Sequence, residues 1–159
     1  MLLAVLTVSD RCSQALMTDT AGPAVAALAG RQWPQAEIWT GLLPDDEDRI
    51  AATLEKLCLQ GAALILTVGG TGLGPRDRTP EATRRVIDRE APGLAEAMRS
   101  LGAANHPFAW LSRAVAGLRG STLVVNLPGS RRGAEESLAS ILALIEHGIE
   151  VAAGGQTHP

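Results

Sequence analysis

The chain has 159 residues, 46% of them hydrophobic and 19% charged, with a net charge of −3 and a mean hydropathy of +0.12. These figures exclude a disordered chain, which is poor in apolar residues and high in net charge. They also exclude a general nucleic-acid binder, which clusters an excess of Lys and Arg. One compact core is expected at this length, with no nucleic-acid partner.

Leu2–Val8 is an unbroken apolar run without the alternation of a one-faced strand, so it reads as a first strand covered on both faces. No basic flank precedes it, and Ser9-Asp10-Arg11 follows it where a secretory signal would place small cleavage-site residues. No other segment is long enough to span a bilayer, so the expected location is the cytoplasm, with no membrane partner. Gly22–Leu28, alanine-rich with Pro23 near its start, predicts a helix ended by Gly30. Glu37–Leu43 predicts a second strand. Asp45–Asp48 then supplies an acidic start for a helix carrying Ile50, Leu54, Leu57 and Cys58 at helical spacing and stopped by Gly61.

Ala62–Val68 is a third buried strand running into Gly69-Gly70-Thr71-Gly72. Thr79 is expected to cap the next helix, with Pro80 at its first position and Val86 and Ile87 on its buried side, until Pro92-Gly93 breaks it. A helix near Leu94–Leu101, a strand at Ser121–Asn126 and a closing helix with Leu138, Ile141, Leu142 and Ile145 on one stripe complete the series. Strands alternating with helices predict a three-layer α/β/α domain with a mostly parallel central sheet. That domain is expected over residues 1–153, with 154–159 a flexible tail. Cys12 and Cys58 lack the companions of a structural zinc site and read as two free thiols.

In such sheets ligands bind beyond the carboxyl ends of the strands, which selects Ser9–Arg11, Pro44–Asp46, Gly69–Pro80 and Asn126–Ser130. Glycines let a backbone approach phosphate closely, and a helix N-terminus adds unpaired N–H groups and a partial positive charge. The loop is neither a Walker sequence nor the dinucleotide fingerprint. Arg11, Arg76, Arg78, Arg113, Arg131 and Arg132 either converge on an anion or are scattered over the surface. Asp45 and Asp77 are either ordinary acids at helix starts or a carboxylate pair holding Mg²⁺ against nucleotide phosphates. No Gly-x-Ser-x-Gly is present, and His106, His147 and His158 look peripheral, so no serine-hydrolase chemistry is assigned.

Taken together, Thr7–Arg11, Leu43–Asp46, Gly69–Gly72, Arg76–Thr83, Asp88–Gly93, Leu111–Arg113 and Asn126–Ser130 resemble the MogA/MoaB-type molybdopterin-binding family, most of all its molybdopterin adenylyltransferases. The blocks follow the family's order across almost the whole chain. The resemblance implies that molybdopterin and ATP react, with Mg²⁺, to give adenylyl-molybdopterin and pyrophosphate. It makes Asp45 and Asp77 the catalytic, metal-binding acids and gives Ser9, Asp10, Gly69, Gly70, Thr71 and Gly72 to the nucleotide. Ser112, Arg113, Asn126, Pro128, Gly129 and Ser130 fall to molybdopterin. A homotrimer and hand-over to a molybdenum insertase are further implications. The alternative is a carrier of the MoaB-like branch that binds molybdopterin without adenylylating it; Arg76 ahead of Asp77 favours the enzyme branch.

Overall fold

The computed structural model describes residues 1–155. Within these residues six strands form one sheet: β1 (Leu2–Val8), β2 (Glu37–Leu43), β3 (Ala62–Val68), β4 (Arg89–Glu90), β5 (Ala116–Arg119) and β6 (Thr122–Leu127). Their spatial order is β2-β1-β3-β6-β5-β4; the first four are parallel, and β5 and β4 run antiparallel to their neighbours. Six described helices accompany them: α1 (Asp10–Ser13), α2 (Ala21–Gln32), α3 (Glu47–Leu59), α4 (Thr79–Val86), α5 (Pro92–Ala103) and α6 (Arg131–Ala152). The expected three-layer α/β/α architecture is the observed one.

The unbroken apolar runs follow from burial on both faces. Leu3, Val5, Leu64, Leu66, Leu123 and Val125 turn toward α2, α5 and α6, where Val25, Met98, Leu138, Ile141 and Ile145 meet them. The intervening residues Ala4, Leu6, Ile65 and Val124 turn the other way, onto Ile50, Leu54 and Leu57 of α3 and Ala82 and Val86 of α4. Successive side chains on a strand point to opposite faces, so a strand with two covered faces has no polar side to show.

The strand ends steer the chain to alternate sides. After β1 the chain enters α2 on one face; after β3 it enters α4 on the opposite face; after β6 it returns to the first face in α6. Crevices therefore open at the carboxyl end of the sheet between β1 and β3 and again between β3 and β6, since neighbouring connections diverge there.

Several boundaries differ from expectation. Gly30 lies inside α2, and Pro92 and Gly93 open α5 instead of ending the preceding helix, which stops at Val86 ahead of β4; proline suits a helix's first turn. Thr79 is not a cap. It is the first residue of α4, its N–H bonds the Gly70 carbonyl at 3.1 Å, and its hydroxyl makes no capping bond. The short α1, the 3-10 turn Pro107–Leu111 and the β4–β5 pair were not expected. Of the expected tail, residues 156–159, with His158, lie outside the described residues. Cys12 and Cys58 are free thiols, and no described helix is long and apolar enough to cross a membrane.

Ile65, fully buried in the central strand β3, reports on this packing. Ile65→Ala is expected to lower unfolding free energy by about 2–5 kcal/mol in urea titrations, with an unchanged far-UV spectrum.

Candidate active site at the carboxyl edge of the sheet

The turn after β3 rises between the two crevices. Gly69 and Gly70 adopt φ of +105° and +65°, in the region that disfavours side chains. A Cβ at Gly69 would also overlap the carbonyl oxygen of Val8 at the end of β1. The glycines thus permit the β1 and β3 ends to close on one another. Beyond them Asp77 folds back onto its own loop, its Oδ2 accepting from Gly74 N–H at 2.8 Å and its N–H donating to Gly74 O at 3.0 Å.

One crevice, of about 830 Å³, is lined by Ser9, Asp10, Arg11, Asp45 and Gly69 among others. The other, of about 640 Å³, is lined by Thr71, Gly72, Leu73, Phe108, Leu111, Ser112 and Pro128 among others. Gly70, Asp77, Gly129 and Ser130 line both, and so form the wall they share. Thr71 and Gly72, grouped in sequence with the nucleotide residues, open on the same side as Ser112 and Pro128.

Three strand-end loops are tied together at the first crevice. Asp10 N–H donates to Asp45 Oδ2 at 2.9 Å, and Asp45 N–H donates to Asp10 Oδ1 at 3.0 Å. Arg76, from the loop after β3, closes the exchange with two bonds of 3.0 Å to the Asp10 carboxylate. Hydrogen bonding to Arg76 holds the Asp10 carboxyl below its ordinary value. Asp45 moves the opposite way: burial raises it, and the negative charges of Asp10 and Asp77 add to the rise. Its Oδ1 is buried and has no hydrogen-bond partner among the described residues.

An orphaned carboxylate oxygen in a negatively charged recess suits a cation, and the donor set is all oxygen, as Mg²⁺ requires. No group of three or more His, Cys, Asp or Glu side chains able to hold a metal occurs among the described residues. Two carboxylates with room for phosphate and water match the usual magnesium arrangement.

Two residues assigned to ligand by sequence have other work. Asn126 is fully buried: its Oδ1 accepts from Val115 N–H at 3.1 Å, and its Nδ2 donates to Thr67 Oγ1 at 2.9 Å and Thr83 Oγ1 at 2.8 Å. Every polar atom of its amide is engaged inside the protein, so it joins β6, β3, α4 and the lead-in to β5 beneath the crevices and lines neither. Arg113 likewise faces the protein. It donates to Gly72 O at 2.7 Å, Asp77 O at 2.6 Å and the Glu81 carboxylate, so it staples both ends of the loop that carries Asp77.

Of the two readings of the arginines, scatter is the nearer, since most are paired off. Arg76 bonds Asp10, Arg78 bonds Glu47, Arg113 bonds Glu81, and Arg131 and Arg132 pair with Glu135 and Glu136 one turn along α6. Exposed pairs of this sort are weak and can exchange partners, so Arg131, which lines the first crevice together with Arg11, keeps capacity for an anion. Ser9 and Ser130 cap α1 and α6, accepting from Cys12 N–H and Gly133 N–H at 3.2 Å each, while still lining the first crevice. His106 lines the second crevice, although its sequence position beside Pro107 gave no sign of this.

A carboxyl with a raised value binds its proton more tightly folded than unfolded, so its ionisation costs stability as pH rises through that value. Asp45 therefore burdens the fold near neutral pH. Asp45→Asn is expected to match or exceed the wild-type Tm there, with the advantage shrinking as the pH falls through the raised Asp45 value. Asp10, whose depressed value withdraws support only as pH falls further, is common to both proteins and cancels. Thermal melts across acid to neutral pH check this.

The sequence matches the family described as "Probable molybdopterin binding domain" over residues 4–147. The molybdopterin adenylyltransferase of Helicobacter pylori strain 26695 is 34% identical over 154 residues, covering 96% of this chain and 88% of that protein. The Drosophila melanogaster molybdenum cofactor synthesis protein cinnamon is 38% identical over 92% of this chain, which spans only 25% of that protein's length. This chain also spans less than half the length of Dictyostelium discoideum gephyrin and a Synechococcus elongatus bifunctional protein of molybdenum cofactor biosynthesis. The crystal structure of the molybdopterin biosynthesis enzyme MoaB from Thermus thermophilus superposes with a TM-score of 0.88 at 47% identity, covering 96% of both chains. With matches of this extent over a common fold and strand-end site, the chain belongs to the probable molybdopterin-binding domain family of molybdenum cofactor biosynthesis.

Proposed function

We propose that this chain catalyses Mg²⁺-dependent adenylyl transfer from ATP to molybdopterin. The observation that carries this reading is the pair of crevices sharing one wall of Gly70, Asp77, Gly129 and Ser130. A reaction joining two phosphorylated molecules requires their phosphates to meet, and a shared wall gives each a site while bringing the reacting ends together. ATP fits the crevice lined by Ser9, Asp10, Gly69 and Asp45. Molybdopterin fits the one lined by Ser112, Pro128 and the apolar Leu73, Phe108 and Leu111, whose surfaces suit a flat heterocycle.

An oxygen of the terminal phosphate of molybdopterin bonds to the α-phosphorus of ATP, and the bond from that phosphorus to the bridging oxygen breaks, releasing pyrophosphate. The displacement needs alignment and charge neutralisation more than a protein nucleophile, consistent with a site that offers no catalytic triad. Asp45 and Asp77 would hold Mg²⁺. That ion neutralises phosphate charge when bound. Backbone N–H groups of Gly70, Thr71 and Gly72 and of the start of α6 would serve as neutral donors to phosphate oxygens, the Gly69 N–H being taken by the Leu127 carbonyl. Arg113 keeps the Asp77 loop in place from below.

The same reading makes residues 1–153 one domain, working in the cytoplasm as a homotrimer and passing its product to a molybdenum insertase. A second reading is a carrier of the MoaB-like branch that binds molybdopterin without adenylylating it; the 47% identity to the Thermus thermophilus enzyme MoaB keeps that branch in view. Pyrophosphate release from ATP and molybdopterin by the purified chain separates the two, since tight binding without product supports the carrier. Asp45→Asn and Asp77→Asn are each expected to lower that release at least about a hundredfold while leaving the fold intact. Near-wild-type turnover in both variants would overturn the metal assignment.

A further inference from the structure

We propose that the Thr79 hydroxyl supplies a third protein oxygen to the cation held by Asp45 and Asp77, an inference that rests on the magnesium reading above.

Thr79 is fully buried, yet its Oγ1 has no hydrogen-bond partner. A serine or threonine at a helix start ordinarily satisfies its hydroxyl on a nearby backbone group; Thr79 does not, because its N–H is anchored to the Gly70 carbonyl and its side chain lies over Gly70. Asp45 Oδ1, another of the three buried oxygens without a partner among the described residues (the third is Glu81 Oε2), reaches the same place. A Cβ on Gly70 would overlap Thr79 Oγ1 and stand 2.9 Å from Asp45 Oδ1. Two buried oxygens thus converge on the space where a side chain of Gly70, in the wall shared by the two crevices, would begin.

Neither oxygen meets a donor. Their own hydrogen bond, the obvious way to relieve both, is not made. Such orphans persist where an occupant from outside satisfies them. An anion is excluded by the negative charge of Asp45, with Asp10 and Asp77 nearby. A hard cation, or water bound to one, satisfies lone pairs on a carboxylate and a hydroxyl together, as the paired hydroxyl and carboxylate of P-loop sites do. Thr79 follows Asp77 by two residues, so the hydroxyl and that carboxylate come from one short segment of chain.

The test is Mn²⁺ binding to the full chain, followed by the electron paramagnetic resonance of free Mn²⁺, alongside metal-free thermal melts. Thr79→Val, nearly isosteric, is expected to weaken Mn²⁺ about tenfold or more, whereas Thr79→Ser retains binding. Without metal, Thr79→Val is expected to melt at or above wild type, since it removes a buried hydroxyl that has no partner. Wild-type Mn²⁺ affinity in Thr79→Val, with Asp45→Asn impaired, would overturn this inference alone. Wild-type affinity in Asp45→Asn would overturn the magnesium reading itself. A metal-free Thr79→Val that melts lower or fails to fold would show that the hydroxyl serves the protein, and would also overturn the inference.

Discussion

The reciprocal exchange between Asp10 and Asp45 holds the working edge together. Each residue's N–H bonds the other's carboxylate, and Arg76 seals the outer side. The segments after β1, β2 and β3 lie beyond the sheet's own hydrogen bonds, so one small hydrogen-bonded ring ties them together where the sheet has ended. The arrangement separates two carboxyls that would otherwise be alike. Asp10, engaged by Arg76, is stabilised as an anion. Asp45, sunk in the protein and facing two other negative charges, is strained as one. A strained anion with an unused oxygen is ready for a cation.

Below this ring two polar contacts fix the floor. Asn126 spends its whole amide on Val115, Thr67 and Thr83, and Arg113 holds the carbonyls of Gly72 and Asp77 at either end of the glycine loop. Neither residue lines a crevice. Both determine where the ligand-facing atoms stand, in the manner of the outer shell around a metal site. The inward positions of these side chains separate support from contact within one short stretch of sequence.

The sequence was most informative where burial is symmetrical. β1, β3 and β6 are covered on both faces, and their apolar runs announce it. β5 reads Ala-Gly-Leu-Arg and β4 only Arg-Glu, too short and too poor in β-branched residues to stand out, so the antiparallel edge was invisible. The loops carrying the site were legible from the rule that strand ends bind ligands. The Asp10–Asp45 ring was not, since it joins residues 35 apart through loop geometry that no periodicity encodes. Asn126 and Arg113 were misplaced for a related reason: a polar residue at a strand end or in a loop can face in or out, and composition does not say which. Thr79 beside Pro80 looked like a cap because the pattern Thr-Pro commonly is one; the Gly70 carbonyl captured its N–H and drew it into the helix.

The common wall ties the shapes of the two crevices together. Gly70, Asp77, Gly129 and Ser130 face both, so any substitution there alters both pockets at once. The flanks that face one crevice only are the segment Met17–Thr20 on one side, and His106, Phe108, Ala109 and Leu111 on the other. Either pocket can be reshaped from its own flank while the partition between them keeps its form.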